Sequence, residues 1–291
     1  MHLKHGCLVI FLTLQFLCAA AAHAAPERVV STFLCTDEYV FRLLPRERIA
    51  ALTVLAGNHP PVPPVVSTIA DQVKGIPLIT PDAETILTLK PDLVVMYQGT
   101  NPRLLANLQG AKIPVLEVPW PNSLADIRNV TRMLGKRLGV ERTAEKLIGA
   151  MNAKLAHAEA HKFSPPLTTL IYEPNGYATA DGVTAEIISR IGLRNIAAAL
   201  HPTRLGTIPV EAVVAHPPQL LILNAARETG RTRADQVLEN PALATLKGKS
   251  FVAKADLKPL LCPGPWSVDV LKPLAGLGRA ALALERGAVG H

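Results

Sequence analysis

Aromatic residues make up only 4% of this 291-residue chain, and cysteine occurs just four times. So little cysteine excludes a small disulfide-rich scaffold. No glycine-rich phosphate loop ending in Lys-Ser or Lys-Thr is present, which excludes a nucleotide-hydrolysing motor. A Gly-x-Ser-x-Gly elbow and a His-Glu-x-x-His pair are also missing, so two common hydrolase signatures are absent. Beyond the first residues no apolar run reaches the roughly 20 residues a membrane helix needs. The formal charge is +7, from 30 Lys and Arg against 23 Asp and Glu. These cations are scattered, with neither a dense run nor interleaved aromatics, so no nucleic-acid partner is expected.

About half the chain is apolar (49%), enough for sizeable cores without staples. Residues 1–24 read as an export signal. Met1 to His5 carry one Lys, Cys7 to Ala22 are almost wholly apolar, and Ala22-His23-Ala24 offers the small-x-small cleavage pattern. Leu17, directly before Cys18, is too bulky for a lipoprotein signal. Only Cys35 and Cys262 then remain in the mature chain. Outside the cytosol such a pair forms either a disulfide or two thiols at a binding site.

Short apolar runs alternate with helical stretches. Arg28–Ser31, Ile49–Leu52, Asp92–Tyr97 and Val115–Val118 read as strands, and Asp37–Leu44, Pro81–Leu89 and Pro102–Leu108 as helices. The strand pattern stops from Ser123 to about His161, where one long helix, Glu141–Lys162, is expected. It then resumes, with strands at Thr168–Tyr172, Leu220–Leu223 and Ser250–Ala253. Helices are expected at Thr184–Ile191, Pro209–Ala215, Asp235–Leu246 (broken near Pro241) and Trp266–Leu284. Alternation of this kind argues for parallel sheets flanked by helices. The expected organisation is an N-terminal α/β lobe over residues 25–122, a helical segment over 123–163 and a C-terminal α/β lobe over 164–291. The fold class is α/β, two Rossmann-like lobes joined by a single long α-helix.

An internal echo supports paired lobes. Thr80-Pro-Asp-Ala-Glu84 opens a helix that leads to Pro91-Asp-Leu-Val-Val. Thr207-Ile-Pro-Val-Glu211 opens another that leads to Pro218-Gln-Leu-Leu-Ile. Thr, Glu, Pro and Leu recur at the same spacing in both.

The informative polar and aromatic residues follow strands, at the edge where open α/β sheets hold ligands. Cys35, Thr36 and Asp37 come after the first strand, and Asn58 and His59 lie in the Pro-rich loop 57–64. Tyr97 ends a strand and Trp120 follows another. In the second half Tyr172, Asn175 and Tyr177 surround a strand end, and Cys262 and Trp266 precede the last helix. Rings at these places suit a large, partly apolar ligand held by stacking and a few hydrogen bonds. His157 and His161, four apart on the long helix, read as solvent-exposed.

Val29-Val-Ser, the run Ile86-Leu-Thr-Leu-Lys-Pro-Asp-Leu-Val-Val95 and the long mid-chain helix resemble the substrate-binding proteins of ABC importers for cobalamin, haem and iron–siderophore complexes. Leu34-Cys-Thr-Asp37 and Cys262-Pro-Gly-Pro265 resemble a proteobacterial branch with cysteine at both places. The resemblance implies a periplasmic, non-enzymatic monomer without a resident cofactor. It would bind a metal chelate between its lobes and dock on an ABC permease, which a cytoplasmic ATPase on another chain powers. It also implies docking through Glu84 and Glu211, one on each lobe. A bridge between Cys35 and Cys262 would tie the lobes and limit their opening. The alternative is a periplasmic metal-binding protein or metalloenzyme using Cys35, Cys262 and His59 as ligands.

Overall fold

In the computed structural model, residues 25–57, 66–200, 205–224 and 233–289 are described. The proposed signal segment, Asn58 and His59 lie outside them. The first half contains β1 (Val29–Ser31), α1 (Leu34–Leu43), β2 (Ile49–Thr53), β3 (Leu78–Ile79), α2 (Ala83–Thr88), β4 (Leu93–Tyr97), α3 (Pro102–Gly110) and β5 (Val115–Val118). Two helices follow, α4 (Leu124–Leu138) and α5 (Glu141–Glu159). The second half contains β6 (Leu167–Tyr172), β7 (Tyr177–Thr179), α6 (Gly182–Arg190), β8 (Leu193–Asn195), α7 (Ala197–Leu200), β9 (Leu205–Thr207), α8 (Val210–Ala215), β10 (Leu220–Asn224), β11 (Phe251–Ala255), α9 (Lys258–Leu261) and α10 (Leu271–Val289).

The first lobe is a five-stranded parallel sheet in the order β3-β2-β1-β4-β5. The second is a four-stranded parallel sheet in the order β11-β10-β6-β8, with a small antiparallel pair, β7-β9, beside it. The central strands β1, β4 and β10 are buried on both faces and are near-continuous apolar runs, while the edge strands β5 and β11 expose one face. Successive side chains point to opposite faces. Val29, Val95 and Tyr97 join one core, and Val30 and Val94 another. Leu220 and Ile222 likewise face away from Leu221 and Leu223.

The turns follow local chemistry. Asp82 caps α2, accepting from the Thr85 amide at 2.8 Å and hydroxyl at 2.7 Å. Asn101 caps α3 and Ser123 caps α4. Gly139, at φ 67°, makes the left-handed turn from α4 into α5, where a β-branched residue would be strained. The expected helix at Asp235–Leu246 forms as two 3-10 turns meeting at Asn240–Pro241, because proline cannot continue the first turn's hydrogen bonds.

The long helix does not join the lobes alone. Helix α5 ends at Glu159 and pairs with α4. Along α4, Leu124 and Ile127 pack in the second lobe's core, while Val130, Leu134 and Leu138 pack in the first lobe's. Along α5, Ala144 packs in the first core, and Met151 and Leu155 in the second. The two helices approach so closely that a Cβ on Gly135 would stand 2.6 Å from the Ala144 Cβ.

The expected helix at Trp266–Leu284 starts later. Residues 265–270 form a 3-10 turn, and α10 begins at Leu271. The preceding stretch turns back to the first lobe, where Cys262 is bonded to Cys35 across 227 residues. Closing so long a loop restricts the unfolded chain, a contribution of about 2–4 kcal/mol. Replacing both cysteines with serine should therefore lower the melting temperature by roughly 5–10 °C, as followed by circular dichroism.

Candidate functional site

Strand order reverses between β1 and β4 in the first lobe and between β6 and β10 in the second. Crossovers leave in opposite directions there, opening a crevice at the carboxyl ends of the strands. In the first lobe this edge is aromatic. Phe33 follows β1 by two residues, Tyr97 ends β4, and Trp120 follows β5 by two residues. Tyr97 meets Phe33 edge-on with ring centroids 5.6 Å apart, and Trp120 at 5.2 Å in a tilted arrangement. Thr36 holds the Phe33 carbonyl through its hydroxyl at 2.8 Å, and Ser31 bonds Thr36 at 2.7 Å.

The Trp120 side chain is 46% exposed, a large ring left in solvent between Pro119 and Pro121. Beneath it Tyr97 is 1% exposed. Its buried hydroxyl has no hydrogen-bond partner among the described residues. Burial pushes that phenol well above its ordinary range, so it is a neutral group able to donate or accept. An unpaired buried hydroxyl costs about 1–3 kcal/mol.

The second edge is polar. Glu173 follows β6 and accepts from the Asn224 side-chain amide at the end of β10. Asn175, exposed and at φ 60°, turns the chain, and its amide donates to the Ala234 carbonyl at 2.7 Å. Gly176 is required behind it: at φ 74° a Cβ would stand 2.8 Å from the Tyr172 hydroxyl. Tyr177 then emerges 43% exposed. The lobes meet near these edges, since Asn122, two residues past Trp120, has its carbonyl 3.8 Å from where a Cβ on Gly182, at the start of α6, would lie.

Several expected ligand contacts point inward instead. Cys35, Thr36 and Asp37 belong to α1, not to a loop, and are buried. The Cys35 and Cys262 sulfurs are bonded to each other, so neither is a thiolate for a metal or ligand. Asp37 is fully buried and accepts from the Thr53 amide at 3.2 Å and hydroxyl at 2.5 Å. Tyr172 is fully buried, donating to the Ile208 carbonyl at 2.6 Å. Its phenol is pushed up to about 12 by burial and by the charge of Glu211. Trp266 is 5% exposed, set against Tyr39 with ring centroids 4.8 Å apart. Of the expected set, the first edge thus brings Tyr97 and Trp120 together, and the second carries Asn175 and Tyr177 at its surface. Phe33 was missed, although it follows its strand as Trp120 does. His157 and His161 are both exposed.

Glu84 and Glu211 are exposed, each the second residue of a six-residue helix. The internal echo is therefore a repeated placement, with α2 leading to β4 and α8 to β10.

Two parallel-sheet lobes, each with one reversal point, a helix pair packed in both cores and an aromatic edge on the first lobe define a two-lobed ligand-binding protein. The sequence pattern described as "Periplasmic binding protein" matches residues 29–252, and the chain belongs to that family. Its members are substrate-binding components of transporters, not enzymes, and work in the periplasm with ABC permeases. A relative, the vitamin B12-binding protein of Pectobacterium atrosepticum, is 27% identical over 239 residues, 75% of this chain and 81% of its own. The periplasmic heme-binding protein RhuT from Roseiflexus sp. RS-1 shares the fold at TM-score 0.66 and 22% identity, covering 90% of this chain and 99% of that one. The periplasmic vitamin B12 binding protein BtuF of Vibrio cholerae does so at TM-score 0.62 and 19% identity, covering 89% and 98%.

The buried Asp37 yields a test of the first edge's support. Desolvation, only partly offset by bonds from Ser31 and Thr53, raises its carboxyl from 3.8 to about 7. The folded state then holds a proton that the unfolded state has lost. Stability should be full below pH 4 and fall as pH rises towards 7. Asp37→Asn should flatten this slope, as read by urea unfolding at pH 5 and 7.5.

Proposed function

We propose that this chain is the periplasmic substrate-binding protein of an ABC importer, exported through residues 1–24. In this reading it captures a metal chelate (iron–siderophore, cobalamin or haem) between the two strand edges. The aromatic edge carries this reading. Trp120 offers a solvent-facing ring for stacking, and Tyr97 holds an unpaired neutral hydroxyl directly beneath it. A large chelate with a flat or apolar face can cover the first, and reaches the second where the Trp120 ring turns aside. Phe33 completes the apolar wall, and Asn175 and Tyr177 supply polar contacts from the other lobe. The named ligands of the relatives agree with this class of cargo. A thiol-based metal site is not favoured, because Cys35 and Cys262 are bonded to each other.

The test is isothermal titration of the mature protein with cobalamin, haem and a ferric hydroxamate. One of them should bind saturably. Trp120→Ala should weaken that ligand about tenfold, the scale of one stacking contact. Tyr97→Phe should weaken it roughly fivefold, one hydrogen bond, without lowering the melting temperature. Flat titrations for all three with folded protein would overturn the cargo reading.

Glu84 and Glu211 are proposed to dock the loaded protein on the permease, as exposed carboxylates on separate lobes suited to arginine partners. The chain acts as a monomer in this role. Reversing both charges, Glu84→Arg with Glu211→Arg, should abolish cargo uptake by cells while leaving the affinity for cargo in solution unchanged.

A further inference from the structure

After β11 the chain crosses from one lobe to the other and returns within a dozen residues. Leu257 packs in the second lobe's core, Cys262 and Trp266 in the first lobe's, and Val268 and Val270 in the second again. Four contacts hold the turn against α1. Cys262 is bonded to Cys35. The Tyr39 hydroxyl donates to the Pro263 carbonyl at 3.3 Å. Tyr39 packs edge-on against the Trp266 ring, and the Arg42 guanidinium carbon lies 4.4 Å over that ring's centroid. The turn is also closed on itself, since Ser267 bonds the Pro259 carbonyl at 2.9 Å and receives the Gly264 amide at 3.0 Å. On its far side Lys154 of α5 pairs with Asp269 at 2.5 Å.

We propose that residues 257–270 form a stapled strap, a third tie beside α4 and α5, which sets the separation of the two lobes and so holds the cleft preformed. Cys35, Cys262 and Trp266 are positioning residues in this sense: they act on the cleft through α1, whose first residue directly follows Phe33 of the aromatic edge. Two antiparallel helices leave a hinge axis about which the lobes can tilt. A strap anchored in both cores, with a covalent bond at its apex, opposes that tilt. This inference goes beyond the cargo reading and is tested without cargo.

The measurement is the distance distribution between spin labels on unnatural residues at positions 109 and 247, one exposed site on each lobe, which leaves the native cysteines paired. Wild-type protein should give one narrow distance. Cys35→Ser with Cys262→Ser should broaden or shift it by more than about 2 Å, the scale of a domain rearrangement. Gly264→Ala should do the same with the disulfide intact, because a Cβ there would lie 2.3 Å from the Trp266 ring and force it out. If the serine pair fails to fold, Gly264→Ala decides. An unchanged narrow distance in the folded variants, even with a lowered melting temperature, would overturn the proposal and leave the bond a purely stabilising one.

Discussion

A parallel sheet must be covered on both faces, and this constraint places everything else in the molecule. With both faces given to helices, the central strands are largely apolar and their middles have little room for chemistry. Only the strand ends remain, and of these the crevice at an order reversal is the roomiest. Each lobe has one such reversal, β1–β4 in the first and β6–β10 in the second. The aromatic trio and the Glu173–Asn224 pair occupy these two places. The lobes thus obtain different surfaces from one topology: rings on one side, amides and a carboxylate on the other.

Helix α1 connects this edge to the rest of the first lobe. Its adjacent carboxylates, Asp37 and Glu38, are both buried but serve different neighbours. Asp37 accepts only from hydroxyls and one amide, so desolvation dominates its chemistry. Glu38 accepts from the Arg42 guanidinium, from the Thr68 amide at 2.7 Å and from its hydroxyl at 2.6 Å. Arg42 in turn covers Trp266. Within two helical turns, α1 therefore grips the end of β2, the segment at Thr68 and the returning C-terminal turn. A buried charge is tolerable when it is so densely bonded, and removing one partner would expose the cost of the others.

The two-lobed α/β pattern was legible because periodicity reports burial, and the repeated Thr–Glu–Pro–Leu spacing reported duplicated placement. The start of α1 was not. Its N-cap is Phe33, which offers no side-chain cap, so the first residue with a recognisable helix-start character is Asp37, and Cys35 and Thr36 read as loop. Phe33 was within reach of the rule that found Trp120. Trp266 was beyond it, because nothing in a sequence shows that a turn near residue 264 folds onto a helix at residue 35. Tyr172 illustrates a subtler difficulty. It ends its strand as Tyr97 does, but the period-two alternation and the Ile208 carbonyl draw it inward, and Tyr177 takes the exposed position.

The same topology bears on how cargo and permease would be arranged. In a strand–helix–strand crossover the helix begins near the carboxyl end of the strand before it, so the first turn of each crossover helix borders the ligand edge. Glu84 sits in such a first turn, since α2 follows β3 of the first sheet. Glu211 sits in the first turn of α8, which follows β9 of the small antiparallel pair, and its charge adds to burial in raising the Tyr172 phenol. On this reading the proposed docking carboxylates, Glu84 and Glu211, would lie towards the mouth of the cleft. A permease that engaged both at once would face the mouth of the cleft. If the lobe separation is set by the strap and the helix pair, the spacing of the two carboxylates is set with it, and one rigid frame would serve both cargo and docking.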